Sequence, residues 1–241
     1  MASEFQFGGS SSLDFSLYVE RLPAIKGPAR RRTTITVPGR NGDLHIDEGT
    51  FENYTQPYAC YFHGEGATPE VAHLIKAWLS KSGEYRRLED TYDPEYFRLA
   101  TFAGPLDVEN KLNKYGRCTI NFDCAPQCFL KSGEEVISLG YSGEISNPTA
   151  FSALPLITVY GGFAGSLTIG GVTVEIKSIV DQVTLDCEMQ DAYRQVADGG
   201  PENYNGKIYA PEFPVLQPGK NAVSWAGGIT GVDIIPRWWT L

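Results

Sequence analysis

The sequence predicts a mainly β chain in two domains. Three features carry that expectation: dense turn formers, apolar residues recurring at period two, and one stretch at helical period. The 241 residues exceed the roughly 150-residue size of an average domain, so one large β domain or two small ones suit the length. Glycine and proline number 26 and 15, well above ordinary usage, and frequent turns separate frequent strands. Hydrophobic residues at 42% supply enough apolar surface for real cores.

At the amino end Phe5 and Phe7 alternate, then break at Gly8-Gly9-Ser10-Ser11-Ser12, and Phe15, Leu17 and Val19 alternate again. Both runs read as strands. Ile35 and Val37 then share one face opposite Thr34 and Thr36. The run ends at Pro38-Gly39-Arg40-Asn41-Gly42-Asp43, a dense group of turn formers, before Leu44 and Ile46 resume the alternation. Residues 23–51 therefore read as a long hairpin whose mostly polar arms have little to anchor both faces in their own domain. A projecting arm that grips a neighbour satisfies that pattern. Arg30-Arg31-Arg32 is the one basic run, and it reads as a solvated or interface-facing strand start.

Val71, Leu74, Ile75, Trp78 and Leu79 fall at i, i+3, i+4, i+7 and i+8, which predicts a helix over 69–82 with this stripe as its core face. Thr68 stands at the N-cap, Pro69 at the first helical position, and Gly83 where a left-handed C′ residue belongs. Strands follow near 85–91, 96–103 and 115–124, the last with Cys118, Ile120, Phe122 and Cys124 on its buried face. The polar, Gly- and Pro-broken text of 125–149 places a domain boundary near residue 130, giving domains 1–130 and 131–235. The second domain shows short strands near 156–160, 167–169, 172–176, 183–187, 222–225 and 232–235. Gly170-Gly171 makes a two-residue hairpin turn there. With no helical period among them, a β-sandwich is expected.

Several function classes lose support from composition alone. Twenty Lys and Arg against 29 Asp and Glu leave a formal charge of −9, which disfavours sequence-specific nucleic-acid binding. No apolar run approaches the roughly 18 to 20 residues of a membrane span, so no membrane insertion is expected. Met1 to Ser12 shows neither a basic nor an apolar leader region, and five irregularly spaced cysteines do not suggest a disulfide framework. His45, His63 and His73 lack ligand spacing, and Cys124-x-x-x-Cys128 is the only close thiol pair, so neither metal nor cofactor is expected. Ser142 in Gly140-Tyr141-Ser142-Gly143 lacks the spacing of a nucleophile elbow, and no phosphate-binding loop occurs. The chain is not expected to be an enzyme.

Two constellations keep alternatives open. Glu89, Asp90, Asp93 and Glu95 contain enough carboxylates for glycoside hydrolysis, although Asp93-Pro94-Glu95 is ordinary turn chemistry between strands. Trp225, Trp238 and Trp239 suit either a sugar-stacking platform or buried anchors. The platform reading makes the chain a carbohydrate-binding module that attaches to host cell-wall glycan.

Taken in order, the segments resemble the phage distal tail protein, the tail-tip hub of long non-contractile tails of phages infecting Gram-positive bacteria. Phe5-x-Phe7-Gly8-Gly9, Ser12-x-Asp14-Phe15-x-Leu17-x-Val19 and Val37-Pro38-Gly39-Arg40-Asn41-Gly42 resemble its first strands and hairpin tip. Trp78-Leu79, Thr91-Tyr92-Asp93-Pro94-Glu95-Tyr96-Phe97 and Thr119-x-Asn121-Phe122-Asp123-Cys124-Ala125-Pro126 continue the likeness. Asn147-Pro148-Thr149, Asp186-Cys187-Glu188, Phe213-Pro214-x-Leu216-x-Pro218-Gly219-x-Asn221-x-Val223-x-Trp225 and the ending Pro236-Arg237-Trp238-Trp239-Thr240-Leu241 carry it to the last residue.

The resemblance implies an amino-terminal belt domain whose hairpin grips the next subunit, and a carboxy-terminal galectin-like sandwich. It implies a homohexameric ring at the virion tail tip, assembled in the host bacterial cytoplasm. Its expected partners are the tail tube protein, a tail-associated lysin or tail fibre protein, and receptor-binding proteins. The inter-subunit arm would comprise Arg30, Arg31, Arg32, Ile35, Val37, Pro38, Gly39, Arg40, Asn41, Gly42, Leu44 and Ile46. The carboxy-terminal strand 236–241 is expected to return and complete the first domain. The His-x-Asn-x-Arg and Trp-x-x-Glu-x-Arg patterns of sugar-binding galectins are missing, and a shared fold does not itself bring sugar binding.

Overall fold

A computed structural model describes residues 4–63, 68–111, 115–196 and 199–241. The chain divides into two compact units, residues 1–128 with Leu241, and residues 129–240. The first unit contains β1 (Phe5–Phe7), β2 (Ser10–Ser11), β3 (Leu17–Val19), β4 (Arg30–Ile35), β5 (Leu44–Phe51), β6 (Tyr54–His63), α1 (Thr68–Leu79), β7 (Arg86–Asp90), β8 (Tyr96–Phe102), β9 (Val108–Lys111) and most of β10 (Tyr115–Leu130). Its sheet runs β2-β1-β7-β8-β10-β6-β3, with β9 also paired to β10, while β4 and β5 form a separate two-stranded ribbon.

Alternation decides which face is buried. On β10, Cys118, Ile120, Phe122 and Cys124 are buried, as their period predicts. On β6, Gln56, Tyr58, Cys60 and Phe62 are buried on the same side of the ladder. This strand escaped the sequence reading, because Pro57 and the polar residues around it obscure the period. The helix closes that face. Trp78 stacks on Phe15 at 4.4 Å and on Phe5 at 5.8 Å, both nearly parallel, and meets Phe7 edge-on at 6.3 Å. Phe122 packs against Phe5 and Phe7 beneath them. Two predictions about the helix need correction. It ends at Leu79, and Gly83 is not among the glycines with left-handed backbone. Leu74 is 59% exposed while Ile75, Trp78 and Leu79 are buried and Val71 half-buried. At about 100° per residue, Leu74 lies beyond Trp78 on the flank of a face centred on Ile75.

The second unit contains β11 (Ile137–Leu139), β12 (Gly143–Asn147), β13 (Leu156–Ile169), β14 (Val172–Ile176), β15 (Asp181–Asp186), β16 (Asp191–Arg194), β17 (Glu202–Asn203), β18 (Ile208–Tyr209), β19 (Gly219–Ile235) and β20 (Trp239–Thr240). Its sheet runs β11-β19-β13-β15-β16-β17, with β12 beside β19 and β14 bridging β13 and β18. The predicted pairs 156–160 with 167–169, and 222–225 with 232–235, prove to be single strands of 14 and 17 residues. Both bend at a shared bulge where glycine is required by contact. A Cβ on Gly161 would lie 2.3 Å from the Gly228 carbonyl oxygen, and one on Gly227 2.6 Å from that of Ala164. The predicted turn at Gly170-Gly171 is present, with φ of 56° and 88° between Ile169 and Val172.

The carboxy-terminal residues close this unit. β20 pairs with β10, near whose end the Leu130 N–H donates to the Trp238 carbonyl at 2.9 Å. Trp238 is buried in the second unit's core. Arg237 makes a two-armed contact to Asp186 at 2.8 and 3.1 Å and reaches Glu188 at 3.1 Å. Burial pushes the Asp186 carboxyl up, but Arg237 and the amides of Met189 and Glu188 outweigh that and hold it below the usual carboxylate range. Its folded value lies below its unfolded value. The stabilisation is therefore present above about pH 4 and lost as pH falls through the folded value.

Two outcomes follow for stability. Trp78→Ala should remove about 3 to 5 kcal/mol through the cavity left among Phe5, Phe7 and Phe15, measured by urea unfolding. Arg237→Ala should be less stable than wild type at pH 7, and urea titrations across pH should show that deficit shrinking as pH falls below about 4 and Asp186 becomes protonated.

Candidate functional site

The β4–β5 ribbon is the feature of this chain that its own packing does not explain. Both strands are exposed along their length, apart from half-buried Phe51 at the base. Register sorts the side chains. Ile35 stands opposite Leu44 and Thr33 opposite Ile46, so Ile35, Leu44 and Ile46 share one face. Those three are 42%, 41% and 48% exposed, and Val37 nearer the tip is 36% exposed.

The other face holds itself together by polar contacts. Thr34 Oγ1 lies 3.1 Å from His45 Nδ1, and the Thr36 hydroxyl donates to Asp43 Oδ1 at 3.0 Å. Arg30 pairs with Asp47 at 2.6 Å and lies over the Phe51 ring, which fixes the base of the arm. The Gly49 amide first, and then Arg30, hold the Asp47 carboxyl below its usual value. Pro38, Gly39, Arg40, Asn41 and Gly42 form the tip, where the Arg40 N–H donates to the Val37 carbonyl at 3.2 Å. The predicted residues Arg30, Arg31, Arg32, Ile35, Val37, Arg40, Leu44 and Ile46 thus lie on one protruding ribbon, with the aliphatic ones in the open.

The alternative sites come apart. Asp90 is buried and accepts hydrogen bonds from the Tyr58 hydroxyl at 2.7 Å and from the Tyr92 and Asp93 amides. Arg98 lies 3.4 Å from Asp90 and 3.2 Å from Asp93, while Glu89 pairs with Arg87. Burial works against the Arg98 charge, yet the surrounding Cys128, Tyr54, Tyr58 and Asp90 outweigh it and strengthen its hold on the proton. These acids close a turn, and Glu95 stands exposed beside it.

The three tryptophans differ in burial. Trp238 lies in the core beside Gly133, where a Cβ would sit 2.4 Å from the Trp238 nitrogen. Trp239 stacks on Phe151 at 4.5 Å and donates its Nε1 hydrogen to the Ser152 carbonyl, and Trp225 packs half-buried on the Val223 face of β19. Trp225 and Trp239 are thus half-buried, and Trp238 is buried.

All five cysteines are free and buried. Burial pushes the thiols of Cys118 and Cys128 up to about 11 and those of Cys124 and Cys187 to about 12, far from thiolate chemistry. Among the described residues no group of three His, Cys, Asp or Glu is arranged to hold a metal ion, and no helix is long and apolar enough to cross a membrane. A cleft of about 810 Å³ opens between the Glu20–Arg21 segment and the Pro105–Glu109 segment, over Ala59 and Thr119.

Two residues that matter structurally were visible only as parts of a motif. Asn147 donates to the Phe151 and Leu216 carbonyls and accepts from Thr149. Asn221 bonds to Gln217 through both ends of its amide. Each staples a turn of the second unit, a role that Asn before Pro-Thr and Asn after Pro-Gly signals in sequence.

No known family's sequence profile matches the chain, and no curated protein matches it. Among solved structures it is similar to the crystal structure of SPP1 Dit (gp 19.1), described as a paradigm of the hub adsorption apparatus in phages that infect Gram-positive bacteria. The two superpose with a TM-score of 0.77 over 100% of both chains at 11% sequence identity. The chain therefore has the fold of a phage distal tail hub protein.

Proposed function

We propose that this chain is the structural hub of a phage tail tip, with copies joined through their arms into a closed ring of six. The observation that carries the reading is the aliphatic face of the β4–β5 ribbon, whose Ile35, Leu44 and Ile46 stay 41 to 48% exposed. Two strands alone are marginal in water, and a row of exposed aliphatic side chains is a recurring mark of an interface. The full-length likeness to a hub protein supports the same reading.

In this role the first unit is the belt domain and the second a galectin-like sandwich. One face of the ring meets the tail tube protein and the other a tail-associated lysin or tail fibre protein, with receptor-binding proteins at the periphery. The hub resides at the virion tail tip, after assembly in the host bacterial cytoplasm. It acts by positioning partners and carries out no reaction of its own. Against glycan attachment, Trp238 is buried and Trp239 is stacked on Phe151.

Deleting residues 27–46 should leave a folded monomer. Light scattering should read a mass near that of one chain, 26.5 kDa less the deleted arm, where the intact protein reads a multiple. An intact protein that stays at 26.5 kDa at every concentration would contradict self-assembly.

A further inference from the structure

We infer that Asn41, at the tip of the ribbon, is a site of spontaneous covalent modification, where the side-chain amide becomes aspartate and isoaspartate through a cyclic imide. The same dipeptide in the second unit is held unreacted by its hydrogen bonds. The inference stands on local geometry alone and does not depend on ring formation.

The sequence contains two Asn-Gly pairs, Asn41-Gly42 and Asn205-Gly206. In such a pair the glycine nitrogen can attack the asparagine side-chain carbonyl carbon, because no Cβ on the second residue blocks the approach. A base first removes the glycine amide proton. The new N–C bond closes a five-membered imide, the bond from that carbon to the side-chain nitrogen breaks, and ammonia leaves with a proton taken from the medium. Water then opens the ring. Attack at the former side-chain carbonyl gives aspartate, and attack at the main-chain carbonyl gives isoaspartate, whose backbone runs through the side chain. The net change is amide plus water to carboxylate plus ammonium, with nothing oxidised or reduced.

Both asparagines are exposed, so exposure does not separate them. Their partners do. Among the described residues neither the Asn41 side chain nor the Gly42 N–H has a hydrogen-bond partner. Gly42 has a left-handed φ of 83°, and a Cβ built on it would meet nothing within 4 Å, so base and water reach the reacting nitrogen freely. Asn205 is fixed at both ends of its amide. Its Oδ1 accepts from the Ala192 N–H at 2.8 Å, and its Nδ2 donates to Asp191 Oδ1. Swinging its carbonyl carbon onto the Gly206 nitrogen breaks both bonds, which adds to the barrier for cyclisation.

The product changes the part of the arm that projects furthest. A carboxylate at position 41 stands beside Arg40 and two residues from Asp43, whose Oδ1 holds the Thr36 hydroxyl at 3.0 Å. Isoaspartate also inserts one backbone carbon into the loop beyond Ile35 and Leu44, the register pair nearest the tip. Charge and length of the tip therefore change while both cores stay as they are.

Peptide mapping tests this. The intact protein is incubated in warm, mildly alkaline buffer and digested with pepsin in acid, where cyclisation stops, and its peptides are resolved by chromatography and mass spectrometry. Asn41 should yield both aspartate and isoaspartate at least about tenfold faster than Asn205 reacts. In urea the two rates should converge, since the bonds on Asn205 are then lost. Asn41→Gln, which would have to close a six-membered ring, should keep its amide with circular dichroism unchanged. Equal rates in the folded protein, or an Asn41 that reacts only in urea, would overturn the inference. So would a lead of Asn41 that persists undiminished in urea, because sequence and not structure would then set it.

Discussion

The rest of the account depends on one constraint: a two-stranded ribbon exposes both its edges and both its faces. Within a sheet, each strand's apolar side chains are covered by a helix or a second sheet. Here Ile35, Leu44 and Ile46 stand in solvent on a strand pair that reaches away from its own core. Hydrophobic burial contributes about 25 cal/mol per Å² of apolar surface removed from water. The ribbon collects only part of that within its chain, because Ile35, Leu44 and Ile46 stay 41 to 48% exposed, and association would supply the rest. The Thr34–His45, Thr36–Asp43 and Arg30–Asp47 contacts keep the strands in register meanwhile.

The rest of the first unit is tied together at two points. Trp78 sits between Phe5 and Phe15 and ties the helix to the amino-terminal strand. Buried Asp90 ties β7 to β6 through Tyr58 and to β8 through Arg98. The second unit repeats the same device, with Asp186 capping a turn by its carboxylate while Arg237 clamps it. In both units a buried acid caps a turn and is held by an arginine.

Period was the most legible signal in the sequence. The alternation of Cys118, Ile120, Phe122 and Cys124 and that of Ile35 and Val37 against Thr34 and Thr36 both survive in three dimensions. The Gly170-Gly171 turn does so too. The losses have physical causes. The strand Tyr54–His63 carries Pro57 inside it, which normally demotes a central strand. β13 and β19 were cut in two because glycine reads as a break, whereas here Gly161, Gly165, Gly227 and Gly228 let two paired strands bend without separating. Leu74 satisfied the helical spacing yet stayed outside, since spacing alone does not say where the centre of a buried face lies. For the candidate site, sequence named the ribbon and its residues; the cleft over Ala59 and Thr119 was invisible, because its floor joins two strands far apart in sequence.

Hydrogen exchange of the amides in Arg30–Ile35 and Leu44–Phe51, followed across a concentration series, tests the central claim most directly. The account predicts rapid exchange in dilute protein and strong protection at concentrations where copies associate, with the core strands β6 and β10 protected throughout. Exchange in the ribbon that is equally slow at every concentration would contradict it, because the ribbon would then be stable without a second copy.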